Sequence, residues 1–287
     1  LARDARKHVN QCLTCRKRKT PKAVGGEEHL RMYQRPGEDV GMDLIGPFPE
    51  TSLYGPRYAL TIYDFFNHFL VAVPIRDKRP ETVARALVTR YLTVRGCPRR
   101  LHSDNGTEFT SPVITEVIKL LSVGHRFSSA YRPQSGGQTE RSHRFLNDAV
   151  SSYINKNHHK DWDIWLYGAV FAHNATDLPE CPGLSPFYLE HGREPVLPEE
   201  VGLQAHALLP LSSENYGMAV PQRIEQGRKD WVEINRDQRA QQKRRHDELI
   251  VPQVFGKGDH VLVKRTPKGK PKLVTKWLDR WLGPYRV

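Results

Sequence analysis

Apolar positions change their period several times along the chain, and each change marks an element. Short β-branched and aromatic runs at Met42–Ile45, Tyr58–Tyr63 and Phe69–Ile75 predict three strands, with Gly55-Pro56 and Asn67 as turn residues between them. From Pro80 the period lengthens. Val83, Ala86, Leu87, Val88, Tyr91 and Leu92 fall at helical spacing over 81–95, and Pro80 suits the first turn. A short strand at Arg100–His102, a helix over 111–121 and a strand over 124–128 follow. A long helix is predicted over 138–154. It has Phe145, Leu146, Ala149, Val150 and Tyr153 on an apolar side facing the core; Glu140, Arg144, Asn147 and Ser151 lie on a polar side open to a cleft. A second helix over Trp162–His173 and the segment 184–193 close the unit. Strands first, then alternating β and α, predict one mixed α/β sheet with flanking helices.

Outside that unit the pattern loosens. Residues 1–32 hold a helical-looking fragment, the pair Cys12-Leu-Thr-Cys15 and the run Arg16-Lys17-Arg18-Lys19, ended by Pro21 and Gly25-Gly26. The α/β unit is assigned to 33–195. Residues 196–250 read as a Pro- and Ser-containing linker, followed over 222–249 by a solvated helix of alternating charge. Residues 251–287 carry Gly258-Asp259, Val261-Leu262-Val263 and Gly283-Pro284-Tyr285, which predict a small β-barrel of short strands and tight turns.

Composition narrows the function classes. At 287 residues, with 38% hydrophobic and 26% charged positions, the chain has material for about two globular domains. No window approaches the ~18–20 consecutive apolar residues of a membrane span, so no membrane partner is expected. Four cysteines are too few for a disulfide scaffold, which points to a reducing, intracellular protein. The first residue is Leu1, so the natural N-terminus is expected to lie upstream. The net charge of +12 is unevenly spread: 1–35 and 256–287 each carry a surplus of +7, leaving −2 for the centre. Two basic ends around a near-neutral centre suit a polyanion such as nucleic acid; the alternative is that they only aid solubility.

Three carboxylates stand out by position. Asp43 lies inside an apolar strand, Asp104 directly follows one, and Glu140 starts a helix on its polar side. A carboxylate in or at the end of a central strand is costly without compensation, and a bound metal is a common compensation. Together the three could hold two Mg²⁺ ions ~3.5–4 Å apart and catalyse displacement at a phosphodiester. Taken singly, each also fits a helix cap or turn residue. Asp64, after a strand, and Glu108, just past Asp104, read as turn or cap and as local structure.

Sixty residues separate Asp43 from Asp104, and 35 separate Asp104 from Glu140. The surrounding words are Gly41-Met-Asp-Leu-Ile-Gly-Pro47, His102-Ser-Asp-Asn-Gly-Thr-Glu-Phe109 and Tyr131-Arg-Pro-Gln-Ser-Gly-Gly-Gln-Thr-Glu-Arg141. With that spacing, the sequence resembles the integrases of gypsy-type long-terminal-repeat retrotransposons over nearly its whole length. The resemblance implies a ribonuclease H-like core with Asp43, Asp104 and Glu140 as catalytic metal ligands for two Mg²⁺ (or Mn²⁺). It implies 3′-end processing and strand transfer of element DNA into target DNA, by a homo-oligomer cut from a larger polyprotein and acting in the nucleus. Cys12 and Cys15 resemble the second half of the family's zinc module. Their His partners would lie upstream, so Zn²⁺ is expected only with that segment restored. Trp281-Leu-Gly-Pro-Tyr285 resembles the family's C-terminal DNA-binding module, here truncated. Arg132, Gln134, Gln138, Arg141 and Arg144 stand where a DNA backbone would pass; Lys264, Lys268, Lys270, Lys272 and Lys276 supply charge for phosphate at the C-terminal end. Ordinary surface polarity is the alternative for the first set. The rival for the whole chain is a domesticated or decayed copy that binds nucleic acid without catalysis.

Overall fold

In chain order the elements are α1 (Leu13–Arg18), β1 (Asp39–Ile45), β2 (Tyr58–Asp64), β3 (Leu70–Ile75), α2 (Pro80–Leu87), β4 (Arg100–Ser103), α3 (Pro112–Leu120), β5 (Gly124–Phe127), α4 (Trp162–Ala175), α5 (Pro186–His191), α6 (Ser213–Glu248), β6 (His260–Lys264) and β7 (Trp281–Arg286). The computed structural model describes residues 3, 8–9, 11–18, 32–48, 55–127, 145–146, 148–149, 152, 161–197, 213–248, 255–264, 279 and 281–287. They belong to two compact units: Arg31–Gln238, and Leu1–Leu30 with Arg239–Val287. Among them no helix is long and apolar enough to cross a membrane.

The larger unit is built on one five-stranded sheet of order β3-β2-β1-β4-β5. β1 pairs antiparallel with β2 and parallel with β4, so the sheet is mixed. Side chains alternate across it. Val40, Met42, Leu60, Ile62 and Leu101 line one face and pack on Val83 and Leu87 of α2 and Ile114 and Ile118 of α3. Ile45, Ala59, Tyr63, Leu70 and Ala72 line the other, under Trp162, Leu166 and Ala169 of α4 and Leu146. The helix begun at Pro80 goes on through a π-helical stretch, Val88–Leu92, and a last turn, Thr93–Arg95. α3 and α5 start as their sequences suggest: Ser111 and Ser185 accept from Ile114 N–H and Tyr188 N–H, each with proline next.

Four features depart from the sequence reading. β1 begins at Asp39, because this carboxylate is buried in the strand by cross-strand partners. Phe145, expected in the core, is 39% exposed, whereas Leu146 beside it is buried. α6 starts at Ser213, inside the expected linker, and runs on past Pro221. It is charged as expected but not solvated all round. Trp231 is 1% exposed, clusters with Phe66, Leu178, Cys181 and Leu189, and donates from Nε1 to Phe66 O at 2.6 Å. Gly192 ends α5 at φ +69°, and a Cβ there would stand 2.5 Å from Ile224 Cγ1 of α6, so the two helices meet at a residue without a side chain.

In the smaller unit β6 and β7 pair antiparallel, and Arg18 Nε lies 3.4 Å from Asp279 Oδ1. Residues 265–278, which would complete a barrel, are outside the described residues.

Candidate active site

β1 is central, with a neighbour on each side, and places Asp43 among apolar residues. Thr61, opposite it on β2, donates from Oγ1 to Asp43 O at 3.0 Å, and Leu44 N–H donates to Asp43 Oδ1 at 2.7 Å. On the other side, Asp39, Val40 and Gly41 pair with Arg100, Leu101 and His102 of β4. Continuing that parallel register by two residues sets Asp43 level with Asp104, which directly follows β4. Their proximity is felt electrically. The Asp43 carboxyl is pushed up to about 6, chiefly by burial; the Leu44 N–H opposes this, and the negative charges of Asp104 and Glu108 add to it.

Asp104 is held by a turn. Its Oδ1 accepts from Gly106 N–H at 2.9 Å, and Phe109 N–H and Thr110 N–H both return to Gly106 O at 3.0 Å. Phe109, 1% exposed, anchors this turn in the core. A Cβ on Gly106 would lie 3.0 Å from both Asp104 Oδ1 and Glu108 Oε2, so these carboxylates flank one glycine on the same side. Glu108 is thus near the site as well as in local structure, where its Oε2 accepts from Thr107 Oγ1 at 3.2 Å. Beneath Asp104, buried Ser103 donates from Oγ to Asp104 O at 3.0 Å and lies 2.9 Å from His125 Nε2. With its one hydrogen spent on Asp104 O, Ser103 Oγ accepts from His125. Burial depresses the His125 pKa, and His102 adds to this, which keeps the ring neutral.

Asp64 does different work. Its oxygens accept from Gly37 N–H at 2.6 Å and Phe66 N–H at 2.8 Å, closing the turn after β2. Burial nevertheless pushes its carboxyl up to about 6. Asp39 was not singled out from the sequence. It is 1% exposed, pairs with Arg100 Nε, and its Oδ2 lies 3.2 Å from His102 Nε2.

Of the sequence-predicted site residues, the structure brings Asp43 and Asp104 together. Glu140, Arg132, Gln134, Gln138, Arg141, Arg144, Lys268, Lys270, Lys272 and Lys276 lie outside the described residues. The Lys264 backbone ends β6 opposite Trp281, but its side chain is also outside them. Neither Cys12 nor Cys15 is in a disulfide; hydrogen bonds from Cys15, backbone and side chain, hold the Cys12 thiol below its usual pKa. Among the described residues no three His, Cys, Asp or Glu side chains are grouped closely enough to hold a metal.

Residues 34–133, which contain Asp43, Asp104 and the turn between Gly106 and Thr110, match the integrase core domain. The chain carries an integrase core domain. It is 30% identical over 250 residues, 86% of its length, to the retrovirus-related Pol polyprotein from transposon 412 of Drosophila melanogaster, and covers 19% of that protein. It is 28% identical over 98% of its length to the Gag-Pol polyprotein of feline leukemia virus, covering 16% of it. The chain therefore spans about a fifth or less of these two polyproteins. The resemblance to integrases read from the carboxylate motifs stands. A chain of the simian T-cell lymphotropic virus intasome, solved in complex with the PP2A regulatory subunit B56 gamma, shares the fold at a TM-score of 0.53 and 20% identity, over 69% of each chain. The mixed sheet and its helices are thus the fold of an integrase catalytic core.

Proposed function

We propose that this integrase core is a polynucleotidyl transferase of DNA integration. It trims the 3′ ends of an element's DNA by hydrolysis, then joins them to target DNA through attack of the freed 3′-hydroxyl. The observation that carries the reading is the pair of Asp43, on β1, and Asp104, set level with it just past the parallel β4, with the Asp43 pKa raised by burial and by its acidic neighbours. Glu140 is taken as the third member on the motif spacing, with 35 residues between it and Asp104.

The donor set fits Mg²⁺ or Mn²⁺. Asp43, Asp104 and Glu140 offer only carboxylate oxygen, and a small hard cation needs just one or two protein carboxylates besides water and substrate phosphate. Gly106 leaves the ground beside Asp104 Oδ1 open, where a Cβ would intrude at 3.0 Å. When bound, two such cations neutralise charge at the attacking and leaving oxygens of a phosphodiester. The chain's own part is to fix that charge in place. β1 holds Asp43, while Ser103 and the Gly106 turn hold Asp104 from below and from the side. Zn²⁺ enters only if upstream ligands complete the Cys12 and Cys15 pair. The partners are element and target DNA and further copies of the chain; the chain is a segment of a polyprotein, and its place of action is the nucleus.

An end-processing and joining assay with a labelled element-end duplex in Mg²⁺ or Mn²⁺ tests this. Asp43→Asn, Asp104→Asn and Glu140→Gln each lower both steps by about 10³-fold or more while leaving the fold intact. Asp64→Asn keeps an acceptor for one of its two backbone partners and loses far less. Equal losses in Asp64→Asn and Asp43→Asn place the chemistry elsewhere, and full joining by any triad variant removes the mechanism.

A further inference from the structure

A cleft of about 330 Å³ opens in the larger unit, lined by Arg35, Asp64, Tyr91, Arg95, Arg99 and Glu190 among others. It lies at the far end of the sheet from Asp104. Gly37 and Arg99, joined by an Arg99 N–H to Gly37 O bond of 2.7 Å, precede β1 and β4, whereas Asp104 follows β4. At ~3.3 Å per strand residue, roughly 15 Å separates the cleft from the candidate active site.

The carboxylates on the floor of the cleft already have partners. Asp64 is bound by two backbone N–H groups. Glu190 pairs with Arg95 Nη2 at 2.8 Å and accepts from Asn67 Nδ2 at 2.6 Å. Arg95 lies 4.1 Å over the Phe69 ring, with its side chain 11% exposed. The rim is different. Arg99 is 63% exposed and reaches only 3.8 Å from Glu38 Oε1, and exposed Arg35 makes no ion pair among the described residues. What remains on offer is two guanidinium forks facing solvent above a floor whose carboxylates already have partners. That arrangement takes an anion with two or more acceptor oxygens that a planar guanidinium can bind in pairs, as the non-bridging oxygens of a phosphodiester allow. The aromatic residue in the lining, Tyr91, is 3% exposed, so no ring is presented for a base to stack upon.

We propose that this cleft binds a DNA backbone phosphate through Arg35 and Arg99, as a contact separate from the carboxylate site. The proposal rests on the reading that the chain acts on DNA. Phosphate contacts carry no sequence information but fix position. A contact roughly 15 Å from Asp104 would set the angle at which a duplex crosses the core.

Cys97 makes the proposal measurable, because its exposed thiol also lines the cleft. The full chain is titrated with an element-end duplex across a salt series. The alkylation rate of Cys97 by a maleimide is followed on its peptide by mass spectrometry. In the wild type, DNA slows Cys97 alkylation. Arg35→Ala/Arg99→Ala loses that protection, binds about tenfold more weakly near 0.1 M salt, and has a log K against log salt slope shallower by about 1 to 2. Arg35→Lys/Arg99→Lys restores most of the slope. Both side chains are exposed, so melting temperatures stay level, and a fall in either variant is met by reading Cys97 below its transition. Unchanged slope and unprotected Cys97 in a wild type that does bind DNA overturn the proposal. Protection by inorganic phosphate but not by duplex also overturns it, leaving a free-anion site. A wild-type chain that binds no duplex at all defeats instead the reading of function, and Asp43→Asn, which spares the cleft, should protect Cys97 as the wild type does.

Discussion

At the scale of single residues, the candidate site stores electrostatic strain. Asp43 titrates near 6 in the folded chain, against 3.8 for an ordinary aspartate, because its charge is buried beside Asp104 and Glu108. The native state therefore binds a proton that the unfolded state has already released between about pH 4 and 6. Stability contributed by this group is greatest below pH 4, falls as pH rises through that window, and stays low above it. Asp43→Asn removes the penalty. In chelator, the variant should be more stable than the wild type at pH 7.5, by about 1–3 kcal/mol, and the gain should vanish near pH 4. Asp64 titrates over the same range but is common to both proteins, so it cancels from the difference. Urea unfolding at a series of pH values measures this, and a gain that is flat with pH would mean that folding does not raise the Asp43 pKa. These electrostatics were only partly legible in the sequence. An aspartate between Met42 and Leu44 announces itself as misplaced in an apolar strand. Asp39 does not, because its burial depends on Arg100 and His102, which reach it only through the β1 and β4 register. Glu108 likewise reads as local until the glycine at 106 folds it back beside Asp104.

At the scale of elements, the strands were readable because their apolar runs and turn residues agree, and β2 occupies Tyr58–Asp64, one residue beyond its prediction. α6 was misread at its start for the opposite reason. Pro221 disfavours helix in the residue before it and removes a hydrogen bond, yet the helix runs through from Ser213. Tertiary packing outweighs that local penalty: Ile224 meets the end of α5 at Gly192, Gly227 lets Tyr188 approach, and Trp231 is fully enclosed. A mean pattern dominated by Arg, Lys, Glu and Gln hides one deeply buried tryptophan. Trp231→Ala should cost about 3–5 kcal/mol, with much of it from the cavity left among Phe66, Leu178 and Leu189. Trp231→Phe keeps most of the packing but strands Phe66 O, at about 1–3 kcal/mol. Both are read from the urea midpoint. A Trp231→Ala loss under 1 kcal/mol would mean that α6 does not hold the core, and that the unit is self-sufficient before residue 213.

At the scale of the whole molecule, basic charge is spread over three places that do different work. The ends of the sequence carry a surplus of +7 each, and 36–255 is slightly acidic at −2. A near-neutral centre does not attract DNA by its average. It needs local concentrations of charge, such as the cleft where Arg99 stands beside Arg35, the last residue of the basic N-terminal stretch. The ends, in contrast, need no geometry, since counterion release depends on how many phosphates are neutralised and not on where each cation sits. Removing 256–287 takes away nine basic residues and the β6 and β7 pair together. Non-specific duplex binding should weaken by ten- to a hundredfold at ~0.15 M salt, and its slope against log salt should flatten by several units. The larger unit ends at Gln238, so its melting transition should be retained in the truncated chain. Protection of Cys97 should survive at low salt, because the cleft belongs to that unit. If the truncated chain keeps the full salt slope, the C-terminal surplus serves solubility alone. If it loses Cys97 protection at every salt concentration, the cleft does not bind phosphate on its own and the basic end must deliver the duplex to it.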